Sequence, residues 1–213
     1  QPANPVLIFW IAIGLVGFFA VPWYGVEDFF KFEWLIDGYP FDADYAPAAF
    51  LLGQAEKLWL APLILPLLAP FAVLRKRKSD PLYARVLIVA GAMGLGWIIL
   101  QGFSIGIRGW NFGWLQVFFG NLNDRQYGMG YGGMLVAVAF LFLFTQGIAA
   151  RGAINGDVFV VSSISGIVVI VTIFVFFPIA KMLTAAFITD GGGYSLSVFA
   201  SKFFDDRLWG LGC

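Results

Sequence analysis

Residues 158–180, VFVVSSISGIVVIVTIFVFFPIA, contain no Asp, Glu, Lys or Arg. A run of about 20 apolar residues matches the hydrocarbon thickness of a bilayer. Lipid cannot hydrogen-bond the backbone, so such a run must satisfy its own amides, and a helix does this within one segment. Four more stretches are free of charge in the same way: residues 5–23, 58–74, 86–103 and 133–150. Each is continuously apolar rather than alternating, which argues against barrel strands. The expected fold is all-α: a polytopic transmembrane helix bundle of about five spans, with short interfacial helices on its outer face.

Composition agrees with this. The chain is 60% hydrophobic and only 12% charged, with a mean hydropathy of +0.84. Soluble domains carry about twice that charged fraction. A formal net charge of zero argues against nucleic acid as a partner. The sole cysteine is Cys213, so no internal disulfide can form. Histidine is absent, which removes the commonest general base and the commonest metal ligand together. With no intramembrane acid and no reactive thiol in place, an enzyme is not expected. The first apolar run lacks a basic n-region and a small-residue cleavage site, so a signal peptide is not expected either.

Orientation follows from the connectors. RKRKSDPLYAR, between the second and third runs, holds Arg75, Lys76, Arg77, Lys78 and Arg85 against Asp80. The opposite side receives residues 24–57, where Glu27, Asp28, Glu33, Asp37, Asp42, Asp44 and Glu56 face only Lys31 and Lys57. The positive-inside rule places RKRK in the cytoplasm, with the N-terminus beside it and the C-terminus outside.

Within the runs, most distinctive residues read as packing devices. Pro62, Pro66 and Pro70 recur every four residues, which in an α-helix puts them on one face and bends it. Ala90–Gly94 and Ala92–Gly96 are small-xxx-small pairs suited to close helix contact, and Ser162, Ser163, Ser165 and Gly166 form a similar patch. Gly128, Gly130 and Gly133 spell a Gly-x-Gly-x-x-Gly. A dinucleotide site would need a preceding strand and an acid about 20 residues on. These glycines instead follow a polar turn and enter an apolar helix, so the Gly128–Gly132 pair reads as a helix-crossing motif. Trp110, Trp114, Val117 and Phe118 fall on one helical face, predicting an interfacial helix. SLSVFASKFF in the tail predicts another, with apolar positions 196, 199, 203 and 204. Asp42 and Asp44 could hint at a cation loop but lack further ligands at loop spacing. Gln101, Thr145, Gln146 and Thr172 are the strongly polar side chains in or near the spans besides the serines, and read as interhelical hydrogen-bonding groups.

Several stretches together resemble the inner-membrane permease subunits of binding-protein-dependent ABC importers, particularly the ferric-iron type. They are VPWYGVEDFFKFEWL, RQYGMGYGGMLVAVAFLFLFTQGIAARGAINGD, FVFFPIAKMLTAAF and YSLSVFASKFFDDRLWGL. The resemblance implies that residues 1–156 are an N-terminal four-helix membrane extension. Residues 157–213 would then be the first helix of the permease core plus an outer amphipathic tail. It also implies a cytoplasmic ATPase and a periplasmic binding protein as partners, and the bacterial inner membrane as location. Thiamine and polyamine importers share this likeness. The family's cytoplasmic EAA-type loop has no counterpart here, so the resemblance implies the amino-terminal part of a longer polypeptide. No catalytic, cofactor-binding or metal-ligating residue is carried over, and no cofactor is expected. The competing expectation is a non-catalytic accessory membrane subunit packed against a larger complex.

Overall fold

The computed structural model describes residues 4–106, 109–122, 128–187 and 195–204, and these are mostly helical. The chain divides into two compact units, Gln1–Ser165 and Gly166–Cys213.

The first unit is built around one helix. In chain order its helices are α1 (Pro5–Phe19), α2 (Ala48–Gly53), α3 (Ile64–Leu68), α4 (Pro81–Ser104), α5 (Leu115–Phe119) and α6 (Tyr131–Ala150), and α7 (Val158–Val171) begins within it. Helix α6 packs against both α1 and α4. Half of its apolar window is buried, against 22% for α4, so α6 is the centre of the bundle. Val136, Ala139, Phe140 and Leu143 on α6 are fully buried.

Small residues allow the approach from both sides. A Cβ at Gly17 of α1 would lie 2.8 Å from the Gly132 carbonyl oxygen, and one at Gly91 of α4 2.6 Å from that of Phe140. In lipid, where apolar side chains gain nothing by leaving one apolar medium for another, such close backbone contact is a main source of helix association. Of the two small-residue pairs on α4, Ala90–Gly94 faces α6. Ala92 is exposed and Gly96 meets nothing within 4 Å.

The ends of the apolar runs are set by proline. Helix α1 stops at Phe19 rather than continuing to residue 23, because Pro22 offers no amide and biases Val21 away from helical dihedrals. The chain then runs extended past α6. The glycine-rich stretch pairs with it: Gly132 N–H donates to the Pro22 carbonyl (3.0 Å), Gly130 N–H to that of Trp23 (2.8 Å), and Gly25 N–H to that of Gly128 (2.9 Å). A side chain at Gly130 would collide with the Tyr24 carbonyl. The amides that would cradle a phosphate are thus committed to the neighbouring backbone. Gly128 takes part only through its carbonyl, since a Cβ there would meet nothing within 4 Å.

Residues 58–73 do not form the single α-helix that their hydrophobicity suggests. They run as a 3₁₀ segment (Leu58–Leu63), the short α3, and a second 3₁₀ segment (Ala69–Val73). Each proline lacks an amide and crowds the carbonyl four residues earlier. The tighter i→i+3 bonding accommodates three of them in a row. At 120° per residue, the four-residue proline spacing no longer stays on one face. Pro66 and Pro70 are buried while Pro62 is exposed, and the buried stripe Leu60, Leu63, Pro66 then Leu67, Pro70, Val73 repeats every three residues.

A two-stranded hairpin, β1 (Ile105–Gly106) and β2 (Gly109–Trp110), follows α4. Asn111 turns the chain back by donating from its side chain to the Phe103 carbonyl (2.6 Å) and from its backbone to that of Ser104 (2.8 Å). Trp110 therefore lies on β2, not on a helix with Trp114. Its indole N–H donates to the Gly120 carbonyl (2.8 Å), and its ring meets Trp59 edge-on. The expected interfacial helix shrinks to α5, which still exposes Val117 (84%), Phe118 and Trp114.

In the second unit the helical backbone widens to a π segment at Thr172–Phe176 before α8 (Phe177–Ala186). Pro178 cannot donate to Phe174, four residues back, and a π-bulge is one way a helix absorbs that lost bond. Helix α9 (Leu196–Phe203) matches the helix expected in the tail. Phe199 stacks on Phe187 at 4.5 Å.

Candidate functional site

The start of α1, the start of α4, the end of α6 and the start of α7 meet at one end of the first unit, the end that carries RKRK. They enclose a cavity of about 810 Å³. Two helix starts are fixed by Asx caps: Asn4 Oδ1 accepts from Val6 N–H (3.2 Å) and Asp80 Oδ1 from Leu82 N–H (2.8 Å). Such caps satisfy otherwise orphaned amides. Asp157 does the same for α7, accepting from Phe159 and Val160. Asn4 also donates from Nδ2 to the Tyr83 hydroxyl (3.0 Å), tying α1 to α4.

The cavity has two characters. One wall is aromatic, with Trp10 and Phe142 stacked at 3.8 Å and 4°. The other is polar and includes Lys78, Ser79, Asn155, Ser162 and Ser163. Among the described residues, no carboxylate lines it. Asp80, nearby, is held below the usual carboxylate range chiefly by the Leu82 amide, with Lys76 at 3.2 Å assisting.

Thr145 and Gln146 are the buried polar residues among those described. Thr145 is satisfied: its hydroxyl contacts the Phe142 carbonyl (3.0 Å) and the Ser162 hydroxyl (2.9 Å). This bond joins α6 to α7, as interhelical polar groups do. Gln146 differs. It is only 4% exposed, it lines the cavity, and its Nε2 has no hydrogen-bond partner among the described residues. Gln101 is structural, donating to the Trp59 carbonyl (3.3 Å), to which the Trp97 indole also donates (2.7 Å). Thr172 bonds its own helix at Val168 (2.7 Å). Asp42 accepts from Asp44 N–H (3.0 Å) in a local turn.

At the opposite end, Lys57 Nζ lies 5.7 Å from the Tyr24 ring centre and 5.4 Å from that of Trp59, within cation–π range. The Tyr24 hydroxyl and Trp59 Nε1 are buried without a partner of hydrogen-bonding geometry. Burial pushes the Tyr24 phenol well above its ordinary range, and the neighbouring Trp59 indole only partly opposes this.

Sequence reasoning identified Thr145 and Gln146 as polar groups within a span, but not the assembly around Gln146. The Asn4-Pro5 and Asp80-Pro81 pairs are readable helix starts. Nothing in the sequence aligns those starts with the end of α6.

The fold of the described residues is mostly helical. Three helices among the described residues, Pro81–Ser104, Tyr131–Ala150 and Val158–Ala186, are long and apolar enough to cross a bilayer. No family model matches the chain, and no curated protein or solved structure matches it at a significant level.

Proposed function

We propose that this chain is a non-catalytic, membrane-spanning part of a bacterial inner-membrane importer permease of the binding-protein-dependent kind, with ferric iron as its cargo. In this reading the chain crosses five times. The runs too short by helix length alone cross because their geometry extends them. At about 2.0 Å per 3₁₀ residue and 1.5 Å per α residue, residues 58–73 reach about 30 Å, the hydrocarbon thickness. The N-terminus and RKRK face the cytoplasm, and residues 24–57 face the periplasm.

The observation that carries the transport reading is Val158–Ala186. It is the most hydrophobic candidate span, at 2.8, yet only 6% of its window is buried within the chain. Its π segment beside Pro178 is the kind of break that membrane helices keep where neighbouring helices re-satisfy the backbone. A helix of this kind suits the first element of a translocation core completed by further helices, with an ATPase below and a binding protein above. The test is uptake of radiolabelled ferric iron by cells with and without the gene. Loss of uptake, restored by the wild-type gene, supports the importer; unchanged uptake of iron, thiamine and polyamines rejects it.

A second reading, an accessory structural subunit, is favoured by the closed core around α6, where the buried polar groups among the described residues are confined to Thr145 and Gln146. An EAA-type loop encoded downstream of residue 213 would favour the permease, and a stop codon there the accessory subunit.

A further inference from the structure

We infer that the cavity at the RKRK end holds the phosphate-bearing headgroup of an anionic phospholipid. The starting point is Gln146 Nε2, a buried donor without an acceptor among the described residues. A buried donor left without an acceptor is costly, so the group calls for an acceptor oxygen. Its neighbours specify which kind. The lining supplies donors, namely the Gln146 amide, the Ser163 hydroxyl and the Lys78 ammonium, and among the described residues no carboxylate; the Ser162 proton is already given to Thr145, whose own goes to the Phe142 carbonyl. The acids that cap the adjoining helix starts are engaged elsewhere. Asp80 and Asp157 cap their own helices, and Asp80 also pairs with Lys76. The cavity is therefore rich in donors, positively charged, and short of anions.

A soluble anion would use only that half of it. The aromatic wall of Trp10 and Phe142 is apolar and continuous with the polar lining, so the occupant is charged at one end and apolar at the other. The position agrees: the cavity lies where apolar helices end and a basic segment begins, the depth at which lipid headgroups sit. Basic pockets between helices on the cytoplasmic side are a recurrent way of recognising such headgroups. The headgroup phosphate would lie between Gln146 Nε2 and Lys78, with an acyl chain running along Trp10 and Phe142.

The full chain, reconstituted into nanodiscs of phosphatidylcholine doped with phosphatidylglycerol, would be released into detergent and its retained lipid counted by native mass spectrometry. Wild type retains phosphatidylglycerol in preference to phosphatidylcholine. Lys78→Gln removes the cation from an exposed position, where folding is not at stake, and weakens that preference about fivefold. Gln146→Glu replaces the donor with a repelling acceptor and abolishes it, with circular dichroism confirming the helices. Lys31→Gln, at the other end of the chain, leaves it unchanged. Equal retention of both lipids by wild type, or an unaltered preference in Lys78→Gln, overturns the inference. Displacement of the lipid by millimolar glycerol phosphate would also overturn it, since the site would then belong to a soluble phosphate ester. None of these readouts depends on transport, so the importer reading and this one can fail separately.

Discussion

The ring of Phe140 on α6 occupies the space a side chain would need at Gly94 on α4. Helix α4 carries another glycine, Gly96, two residues on, whose missing side chain faces nothing within 4 Å. The pair is a built-in control. Gly94→Ala must displace the Phe140 ring and costs about 1–3 kcal/mol, as overpacking does. Gly96→Ala meets no obstacle and gains up to about 1 kcal/mol of helix propensity. Thermal unfolding of both variants in detergent micelles reads the difference. Equal effects would mean that the α4–α6 contact is not as close as described.

Tyr24→Phe is expected to be neutral or stabilising, because it deletes a buried hydroxyl that has no partner of hydrogen-bonding geometry among the described residues. Phenol ionisation adds an independent check. Burial raises the folded-state pKa of Tyr24, so its stabilising term is complete below the ordinary tyrosine range and declines as pH rises through the shifted value. Ultraviolet titration should show, among the tyrosines that stay protonated when the exposed ones have ionised, one that is lost in Tyr24→Phe.

For Asp80 the sign is opposite. Its carboxyl is depressed by the Leu82 amide and Lys76, so the contribution is present above the ordinary carboxylate range and fades as pH falls through the lowered value. Asp80→Ala lowers the melting temperature at neutral pH, and Asp80→Ser, an uncharged cap, restores only a minor part of the loss. The gap between wild type and Asp80→Ala closes at acid pH. A gap that persists there would assign the cap's effect to something other than its charge.

The membrane orientation is tested by reporter fusions. An export-dependent reporter fused after Lys78 is expected to be inactive, and one fused after Asp44 active. The reverse pattern refutes the orientation by charge.

How much of this was readable beforehand depends on which force decided each element. The long apolar helices α4 and α6, and the span Val158–Ala186 that begins with α7, were legible because length and apolarity alone demand them. The tail helix α9 was legible from its amphipathic spacing. Trp110 was misplaced because a local side-chain bond, from Asn111 to Phe103, overrode a helical periodicity that also fitted. The proline face was misjudged because the α period was applied to a stretch whose missing amides favour the 3₁₀ one. The Gln146 cavity was invisible for a different reason. It is made by helix ends from three separate parts of the sequence, and a single sequence carries no signal of which ends meet.

That tightened stretch between Leu58 and Val73 limits how the protein can vary. With a buried stripe returning every third position, adding or removing a triplet shifts the segment's reach by roughly 6 Å but keeps the same residues against the bundle. A change of one or two positions would swing Leu63 or Pro70 outward by a third of a turn. Within either 3₁₀ stretch, on each side of α3, length is therefore expected to drift in steps of three.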